Sequence, residues 1–354
     1  MQIMFMRYIL SIIIGIAIFG CNNFTKEGPL AFVPPIFPEE IEIVPSYFEA
    51  NMVAMSAFRL YLKDTVLLAR AYDGERLIQI LNKKSGEKIS AILPYGRGPG
   101  EMTSSPDLFV LEDSIYAYSI TDSKLYKYYS IRDYTGIMPN DIINFNNRLL
   151  SWVRPFKNKY LAGTNARNNR FIIYDVNGNE EFLYTKYPDF DDIGYNDSLT
   201  VRNIFLGGTD VGVKPDGTKF AIVLSHGAML EIFSISENTI SLHKEKRFYP
   251  PKMEITDGSL KSVQALPSQI RGFYDIKTTD EYIYALFDGT RLDGEFIPPS
   301  YIYVFDWDGN PVRSYKVKGG LMRFALDAEN KMIYCTTMDM ETKEEPLGYF
   351  SILE

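Results

Sequence analysis

Residues suited to metal or nucleophilic chemistry are few in this chain of 354 residues. It has two histidines, His226 and His243, and two cysteines, Cys21 and Cys335. Two histidines cannot build a multi-histidine metal site, and two distant cysteines provide neither a thiolate cluster nor a disulfide framework. The nucleophile-elbow pattern Gly-x-Ser-x-Gly does not occur. We therefore expect no metal and no cofactor, and the sequence identifies no catalytic residue.

Four arginines have the clearest binding chemistry, because each lies in or beside a segment predicted to be an innermost strand: Arg59, Arg154, Arg271 and Arg323. If their side chains converge, they create a local positive potential, and guanidinium groups bind carboxylates or sulfates through paired hydrogen bonds. The alternative is that they pair with acidic residues at the same level and only join neighbouring repeats: Glu101, Asp107, Asp210 or Asp275. Strand register decides, because a slip of one residue reverses the face of a side chain.

A glycine-rich loop, Tyr95-Gly96-Arg97-Gly98-Pro99-Gly100-Glu101, adds two further candidates, Arg97 and Glu101. No Gly-Lys-Ser/Thr follows it, and glycines at every second position do not fit the dinucleotide fingerprint, so it is not a phosphate loop. Its glycines allow sharp turns and its proline stiffens them. Arg97 and Glu101 therefore either face a ligand or lock the loop through local contacts.

The elements that must position these residues are strands in a repeated pattern. Six times along the chain a strand follows a polar or Asp-containing turn, at Thr65, Ser114, Lys159, Lys219, Glu281 and Lys331. The spacings of 49, 45, 60, 62 and 50 residues suit a four-stranded propeller blade with its loops. We predict an all-β fold, a six-bladed β-propeller with four-stranded antiparallel blades over residues 39–354.

The sixth repeat ends before its fourth strand, while Ile41 to Val44 near the start has no local partner. Pairing these two ends would close the ring and cover an exposed strand edge. We therefore predict that an N-terminal strand is the outer strand of the last blade.

The first 20 residues predict export. Tyr8 to Phe19 is an apolar run of 12 residues, the length of a secretory core segment and too short for a membrane span. Ile18-Phe19-Gly20-Cys21 resembles the bacterial lipobox, although Phe19 departs from its usual small residue. This resemblance implies a lipoprotein signal peptide at 1–20, acylation of Cys21, and a tether at 21–38. The expected location is the bacterial cell envelope, anchored by lipid, with the outer membrane favoured.

The formal net charge of −8 argues against a nucleic-acid partner, because an acidic surface repels phosphate backbones. The loop from Gly96 to Glu101 resembles the GxGPGE element of TolB-like six-bladed propeller lipoproteins of Bacteroidetes, and the resemblance covers roughly residues 40–354. It implies the propeller fold, membrane anchoring and a binding role, without catalytic residues.

Two functions stay open at this point. One is a binding or scaffold propeller for a glycan, peptide or partner protein. The other is a propeller hydrolase or lyase that acts on a carbohydrate or lactone through carboxylates at the channel mouth. The separation of acid pairs cannot be obtained from the sequence, so the enzyme is neither proposed by residue nor excluded.

Overall fold

The computed structural model describes residues 31–49, 59–111, 114–129, 138–146, 150–164, 169–188, 210–236, 239–256, 262–329, 331–342 and 344–352. All regular elements within these ranges are strands. None of the described segments forms a helix with the length and apolar character needed to cross a bilayer. The predicted signal peptide and Cys21 lie outside the described residues.

The first strands of the described residues are two short ones, β1 (Glu40–Ile43) and β2 (Ser46–Tyr47), which join sheets formed much later in the sequence. Each of the first three blades is a four-stranded antiparallel sheet, with its strands in sequence order from the axis outward. Blade 1 contains β3 (Leu60–Lys63), β4 (Val66–Ala69), β5 (Arg76–Asn82) and β6 (Lys88–Pro94). Blade 2 contains β7 (Asp107–Leu111), β8 (Ser114–Ser119), β9 (Lys124–Tyr128) and β10 (Asp141–Asn144). Blade 3 contains β11 (Leu150–Phe156), β12 (Lys159–Thr164), β13 (Phe171–Tyr174) and β14 (Glu180–Tyr184).

The second half of the ring is more elaborate. Blade 4 contains β15 (Asp210–Val213), β16 (Lys219–Val223), β17 (Ala228–Ser236) and β18 (Thr239–Tyr249), and a small hairpin of β19 (Met253–Thr256) and β20 (Ser262–Ala265) follows it. Blade 5 contains β21 (Phe273–Thr278), β22 (Tyr282–Phe287), β23 (Tyr301–Asp306) and β24 (Pro311–Val317). Blade 6 contains β25 (Arg323–Asp327), β26 (Met332–Thr336) and β27 (Leu347–Ser351). The predicted six-bladed β-propeller is confirmed.

Tight turns with aspartate separate the strands, and they allowed the strand pattern to be predicted from the sequence. In the turn after β13, the Asp175 carboxylate accepts hydrogen bonds from the backbone N–H of Asn177 and of Asn179, both at 2.8 Å. Asp306 does the same after β23 for Asp308 and Asn310, at 3.0 and 2.8 Å. Such aspartate turns end one strand and start the next, so equal turn chemistry produces equal hairpins.

The N-terminal chain closes the ring, as predicted, but through other residues than expected. The outer strand of blade 6 is β2, where Ser46 pairs with Tyr349 and Tyr47 with Gly348. The prediction that Ile41 to Val44 takes this position is wrong, because β1 instead pairs in parallel with β24 and adds a fifth strand to blade 5. A parallel partner requires no hairpin connection, so no local pattern indicated it.

The compact unit begins at Phe32, upstream of β1. The backbone N–H of Val33 donates to the carbonyl of Arg247 on β18 at 2.9 Å. The Phe37 ring lies 4.5 Å from that of Tyr303 on β23, centroid to centroid. The last residues of the predicted tether therefore contact blades 4 and 5.

The core lies between adjacent blades, where the apolar faces of the sheets meet. The largest cluster joins blades 3 and 4 through aromatic rings, with Phe171 5.4 Å from Phe220 and 5.2 Å from Phe233. Cys335 is fully buried between blades 5 and 6, as expected of a small apolar side chain. Because each blade buries both of its faces, every blade supports its two neighbours and the ring holds the inner strands at one axis.

Candidate functional site

One mouth of the propeller contains a cavity of about 420 Å³, which we call the arginine cavity. It lies where the innermost strands begin, and the connections from each second strand to the third end at this same face. Its lining includes four arginines from blades 1, 5 and 6, together with polar and apolar residues: Arg59, Arg70, Arg271, Arg323, Ser225, His226, Gln269, Tyr274, Ala265 and Leu292. A volume of this size falls in the range of sites for small ligands.

Blade 1 places two of the arginines side by side. Arg59 directly precedes β3 and Arg70 directly follows β4, and the Arg70 backbone N–H donates to the Arg59 carbonyl at 2.9 Å. Arg323 is the first residue of β25 in the neighbouring blade 6. Because innermost strands start together around the axis, residues at these starts converge although they lie far apart in sequence.

Arg59 lies at the floor of the cavity, with 13% of its side chain exposed. One guanidinium nitrogen lies 3.5 Å from Asp210 Oδ1. Burial acts to lower the pKa of Arg59, but the negative charges of Asp210 and Asp275 outweigh it and raise that pKa. Its buried Nε has no hydrogen-bond partner within the described residues, so one donor remains unused.

Arg70 and Arg323 are held close to other positive charges. Burial and the neighbouring charge of Arg59 lower the pKa of Arg70 to about 10, and Arg323 acts in the same direction. Burial likewise lowers the pKa of Arg323; the negative charge of Asp275 opposes this shift, and the repulsion from Arg59 adds to it. An anion in the cavity would relieve this repulsion, because an opposite charge stabilises the charged form of each guanidinium group.

Arg271 organises the rim of the cavity. Its Nη1 donates to Thr290 Oγ1 at 2.9 Å and to the Arg291 carbonyl at 2.8 Å, and its Nη2 donates to the Leu292 carbonyl at 2.9 Å. These bonds hold the connection between β22 and β23 against the start of β21. Three of its five N–H donors are used within the protein. The main contribution of Arg271 to the cavity is therefore its positive charge.

Arg154, the fourth predicted arginine, does not line the arginine cavity. It is 1% exposed and forms a two-pronged ion pair with Asp107, in which Nη2 donates to Oδ1 at 3.2 Å and Nη1 donates to Oδ2. Asp210 Oδ1 lies 3.6 Å from the same guanidinium group. For Arg154 the alternative interpretation holds, since it joins blade 3 to blade 2.

The carboxylates nearest the axis serve contacts between blades. Asp210 Oδ2 accepts from the backbone N–H of Ile276 in blade 5, and Asp275 Oδ2 accepts from that of Phe324 in blade 6, both at 3.3 Å. Lys277 Nζ donates to Asp275 Oδ1 at 2.6 Å. Burial acts to raise the pKa of Asp210, but the positive charges of Arg59, Lys277 and Arg154 lower it below its ordinary value. Asp210 is therefore ionised, and both carboxylates are already engaged by groups of the protein.

The glycine-rich loop connects β6 to β7 at the same face. The Glu101 carboxylate folds back over the loop, where its Oε2 accepts from the Gly98 N–H at 2.7 Å. A methyl group at Gly96 would lie 2.0 Å from that oxygen, so a larger residue there would displace the Glu101 carboxylate. Arg97 is exposed, and neither residue lines the arginine cavity. Glu101 locks its loop.

Sequence reasoning missed Arg70, His226, Gln269 and Tyr274. Arg70 could have been predicted from the sequence. The two-residue turn at Asp64 and Thr65 makes residue 70 face residue 59 in a β-hairpin. His226 and Gln269 lie in connections between strands, which carry no periodic signal, and Tyr274 is the second residue of the innermost strand β21. Burial lowers the pKa of His226, so that side chain is neutral at pH 7. Within the described part of the chain, no group of three or more potential metal ligands lies together.

Comparison with known proteins supports the architecture. A family model described as "TolB-like 6-blade propeller-like" matches residues 39–329. A search of curated protein sequences returned no match.

Solved structures resemble the fold at low sequence identity. A protein of Bacteroides fragilis, whose name describes it as exported, aligns with 89% of this chain and 99% of its own at 13% identity and a TM-score of 0.52. The structure of U3-55K and that of the WD40 repeats of RRP9 each align with 87% of this chain and 100% of their own, at 7% identity and a TM-score of 0.50. Identities this low support the propeller fold alone.

Proposed function

Because the chain belongs to the TolB-like six-bladed propeller family, we propose that it is a lipid-anchored envelope protein that binds an anionic ligand in the arginine cavity. The ligand presents a carboxylate or sulfate group on a glycan or peptide. The propeller positions this site, and the lipid on Cys21 keeps it at a bacterial membrane, with the outer membrane as the proposed location. The Bacteroides fragilis structure, whose name describes an exported protein, supports an address outside the cytoplasm.

One observation carries the ligand chemistry. Four guanidinium groups line a cavity of about 420 Å³ in a protein of net charge −8. Asp210 and Asp275 stabilise the charge of Arg59, whereas the pKa of Arg70 is lowered by burial and by the neighbouring Arg59 and Arg323, so a bound anion would stabilise its charged form. Guanidinium groups bind carboxylates and sulfates through planar, paired hydrogen bonds, which adds geometric selection to the charge.

The geometry favours binding over hydrolysis. A propeller glycosidase would need two carboxylates facing the reacting bond across the mouth. In the described residues the carboxylates at the axis, Asp107, Asp210 and Asp275, are buried and occupied by Arg154, Arg59 and Lys277. No particular observation supports the hydrolase or lyase, and we do not propose it.

Titration calorimetry with galacturonate, a sugar with one carboxylate, tests the proposal. We expect Arg323→Gln and Arg70→Gln to weaken binding by about tenfold each, because a hydrogen bond to a charged group contributes about 1.5–3 kcal/mol and about 1.4 kcal/mol is a factor of ten. Affinity of the natural protein should fall as salt rises, since cavity and ligand attract by charge.

Arg291→Gln is the matched control. This substitution removes one positive charge from the same face of the propeller. The exposed Arg291 side chain, however, lies outside the cavity lining and pairs with Asp293 at 2.7 Å. Its affinity for galacturonate should stay within about twofold of the natural protein. Equal binding by the natural protein and both cavity variants, or no binding of any carboxylate or sulfate ligand, would refute the function proposed here.

A further inference from the structure

Beside the arginine cavity, two tyrosines stand together at the rim of blade 1. Tyr72 lies in the connection from β4 to β5, and Tyr95 begins the connection from β6 to β7. Their ring centroids are 5.6 Å apart with planes at 61°, and the residues are 45% and 55% exposed. We call this pair the tyrosine platform. Two adjacent exposed aromatic rings beside a charged cavity are a typical feature of a binding surface.

The platform is linked to the cavity through Arg70. Arg70, which lines the cavity, precedes Tyr72 by two residues, and its Nη1 donates to the Pro106 carbonyl at the far end of the loop that Tyr95 begins. The Tyr95 backbone N–H donates to the Glu75 carbonyl at 2.9 Å, which ties the two connections together. Arg97, also exposed, follows Tyr95 by two residues. Each connection therefore carries an arginine two residues from a tyrosine of the platform, Arg70 beside Tyr72 and Arg97 beside Tyr95.

Hydrogen bonds fix the connection that carries Tyr72. The Tyr72 hydroxyl donates to the Gly74 carbonyl at 2.5 Å. Asp73 accepts from the backbone N–H groups of Glu75 and Arg76 and from Lys88 Nζ, at 3.0, 2.8 and 2.6 Å. Binding at a fixed surface loses little conformational entropy, so even a modest apolar contact contributes to affinity.

We propose, resting on the function proposed above, that the ligand is an acidic polysaccharide whose chain runs from the arginine cavity across the tyrosine platform toward Arg97. One acidic sugar occupies the cavity, and the next residues lay their C–H faces on the two rings. The ring faces bury apolar sugar surface, while sugar hydroxyls at the edge stay in water. The arginines at both ends match an acidic group that recurs along the chain.

A peptide fits this rim less well. Extended peptides are recognised through main-chain hydrogen bonds, which require free backbone groups on the protein. In the glycine-rich loop these groups are used internally: Gly96 N–H donates to the Met102 carbonyl, Gly98 N–H to Glu101, and Glu101 N–H to the Gly98 carbonyl. A saccharide needs ring faces and charged donors, and both are exposed here.

Calorimetry with galacturonate oligomers of one, two, four and six units tests the path. For the natural protein we expect the affinity to rise at least tenfold from two units to six. Tyr72→Ala and Tyr95→Ala should remove this gain and leave the affinity for the monomer unchanged. Tyr95→Phe keeps the ring and should retain the gain; it is the matched control, because Tyr72→Phe would also remove the hydroxyl bond to the Gly74 carbonyl.

Two further variants sharpen the result. Glu75 is an exposed carboxylate in the same connection as Tyr72, so Glu75→Gln should strengthen binding of the six-unit acid severalfold by removing repulsion. Tyr129→Ala removes a similarly exposed ring, 49% exposed, from the connection at the opposite face and should have no effect.

The outcomes separate the two proposals. If the arginine variants lose galacturonate but affinity does not depend on oligomer length, or if the gain survives in both tyrosine-to-alanine variants, the polysaccharide path is wrong and the anion site stands. If oligoglutamate peptides show the same gain with length as the galacturonates, the ligand class is wrong. Heparin fragments, compared with galacturonates of equal length, show whether sulfate or carboxylate is preferred. Binding of either class supports the path if Tyr72→Ala weakens that binding.

Discussion

Substitution of Arg154 by methionine separates structural from ligand-binding arginines. Arg154 is 1% exposed, forms a two-pronged ion pair with Asp107 and lies 3.6 Å from Asp210. Methionine replaces the aliphatic stem but supplies no charge or donor. The Asp107 carboxylate, whose side chain is 10% exposed, then loses its charged partner. Asp210 keeps Arg59 at 3.5 Å and the Ile276 N–H at 3.3 Å.

The expected loss is large. Removing one partner of a buried ion pair costs about 3–5 kcal/mol, because the remaining charge stays desolvated. Two hydrogen bonds between charged groups at about 1.5–3 kcal/mol each lead to a similar figure. Native proteins have a free energy of unfolding of about 5–15 kcal/mol, so this one change removes a substantial share.

Urea unfolding followed by tyrosine and tryptophan fluorescence measures the effect. Asp107→Asn combined with Arg154→Met should cost clearly less than the two single changes added together, because the double variant leaves no buried charge unpaired. Arg291→Met, at an exposed arginine, should change the free energy of unfolding by less than about 0.5 kcal/mol. A loss below about 1 kcal/mol for Arg154→Met, or strictly additive single changes, would refute this reasoning. Galacturonate affinity should persist in folded Arg154→Met, since Arg154 does not line the cavity.

Three further changes test the closure, the anchor and the buried charges. Deleting residues 39–48 removes β1 and β2 and should lower the melting temperature of the whole ring, because blades 5 and 6 both lose an outer strand. The control Val44→Ser, at an exposed position, should leave the melting temperature unchanged. Equal melting temperatures of the deletion variant and the natural protein would contradict closure. Cys21→Ser should move the protein from the detergent phase to the aqueous phase in a detergent-partition assay, and a variant that stays with the detergent would disprove acylation at Cys21. Burial, with repulsion from Glu231, raises the pKa of Glu245, so its contribution to stability is present below its ordinary pKa of about 4.3 and is lost as pH rises through the raised value. Glu245→Gln should therefore flatten the fall in urea midpoint above pH 4, and an unchanged slope would rule out this residue as the source.

The residues that line the arginine cavity are distributed unevenly around the propeller axis. Its arginines come from blades 1, 5 and 6, while blades 2 and 3 contribute no residue to its described lining. A ligand bound there is therefore held against one side of the mouth. The tyrosine platform continues from that side, through the connection that follows Arg70.

The sequence by itself determined the fold, because the signals that define strands and turns in a propeller blade lie in short stretches of neighbouring residues. Strand alternation, aspartate turns such as those at Asp175 and Asp306, and a period of 45–62 residues are each set by neighbouring residues. The same local information placed arginines in or beside innermost strands. It also indicated that the two ends of the chain meet, since the last blade lacked a strand.

Only the tertiary structure decided which of these residues serve the site. Arg59 and Arg154 look equivalent in sequence, yet Arg59 faces the arginine cavity and Arg154 is enclosed by Asp107 and Asp210. The parallel pairing of Glu40 with Ser314 and the meeting of Tyr72 with Tyr95 likewise join segments without a shared local pattern. The physical reason is that side-chain direction and blade contacts depend on register and on residues hundreds of positions away, which no periodicity encodes.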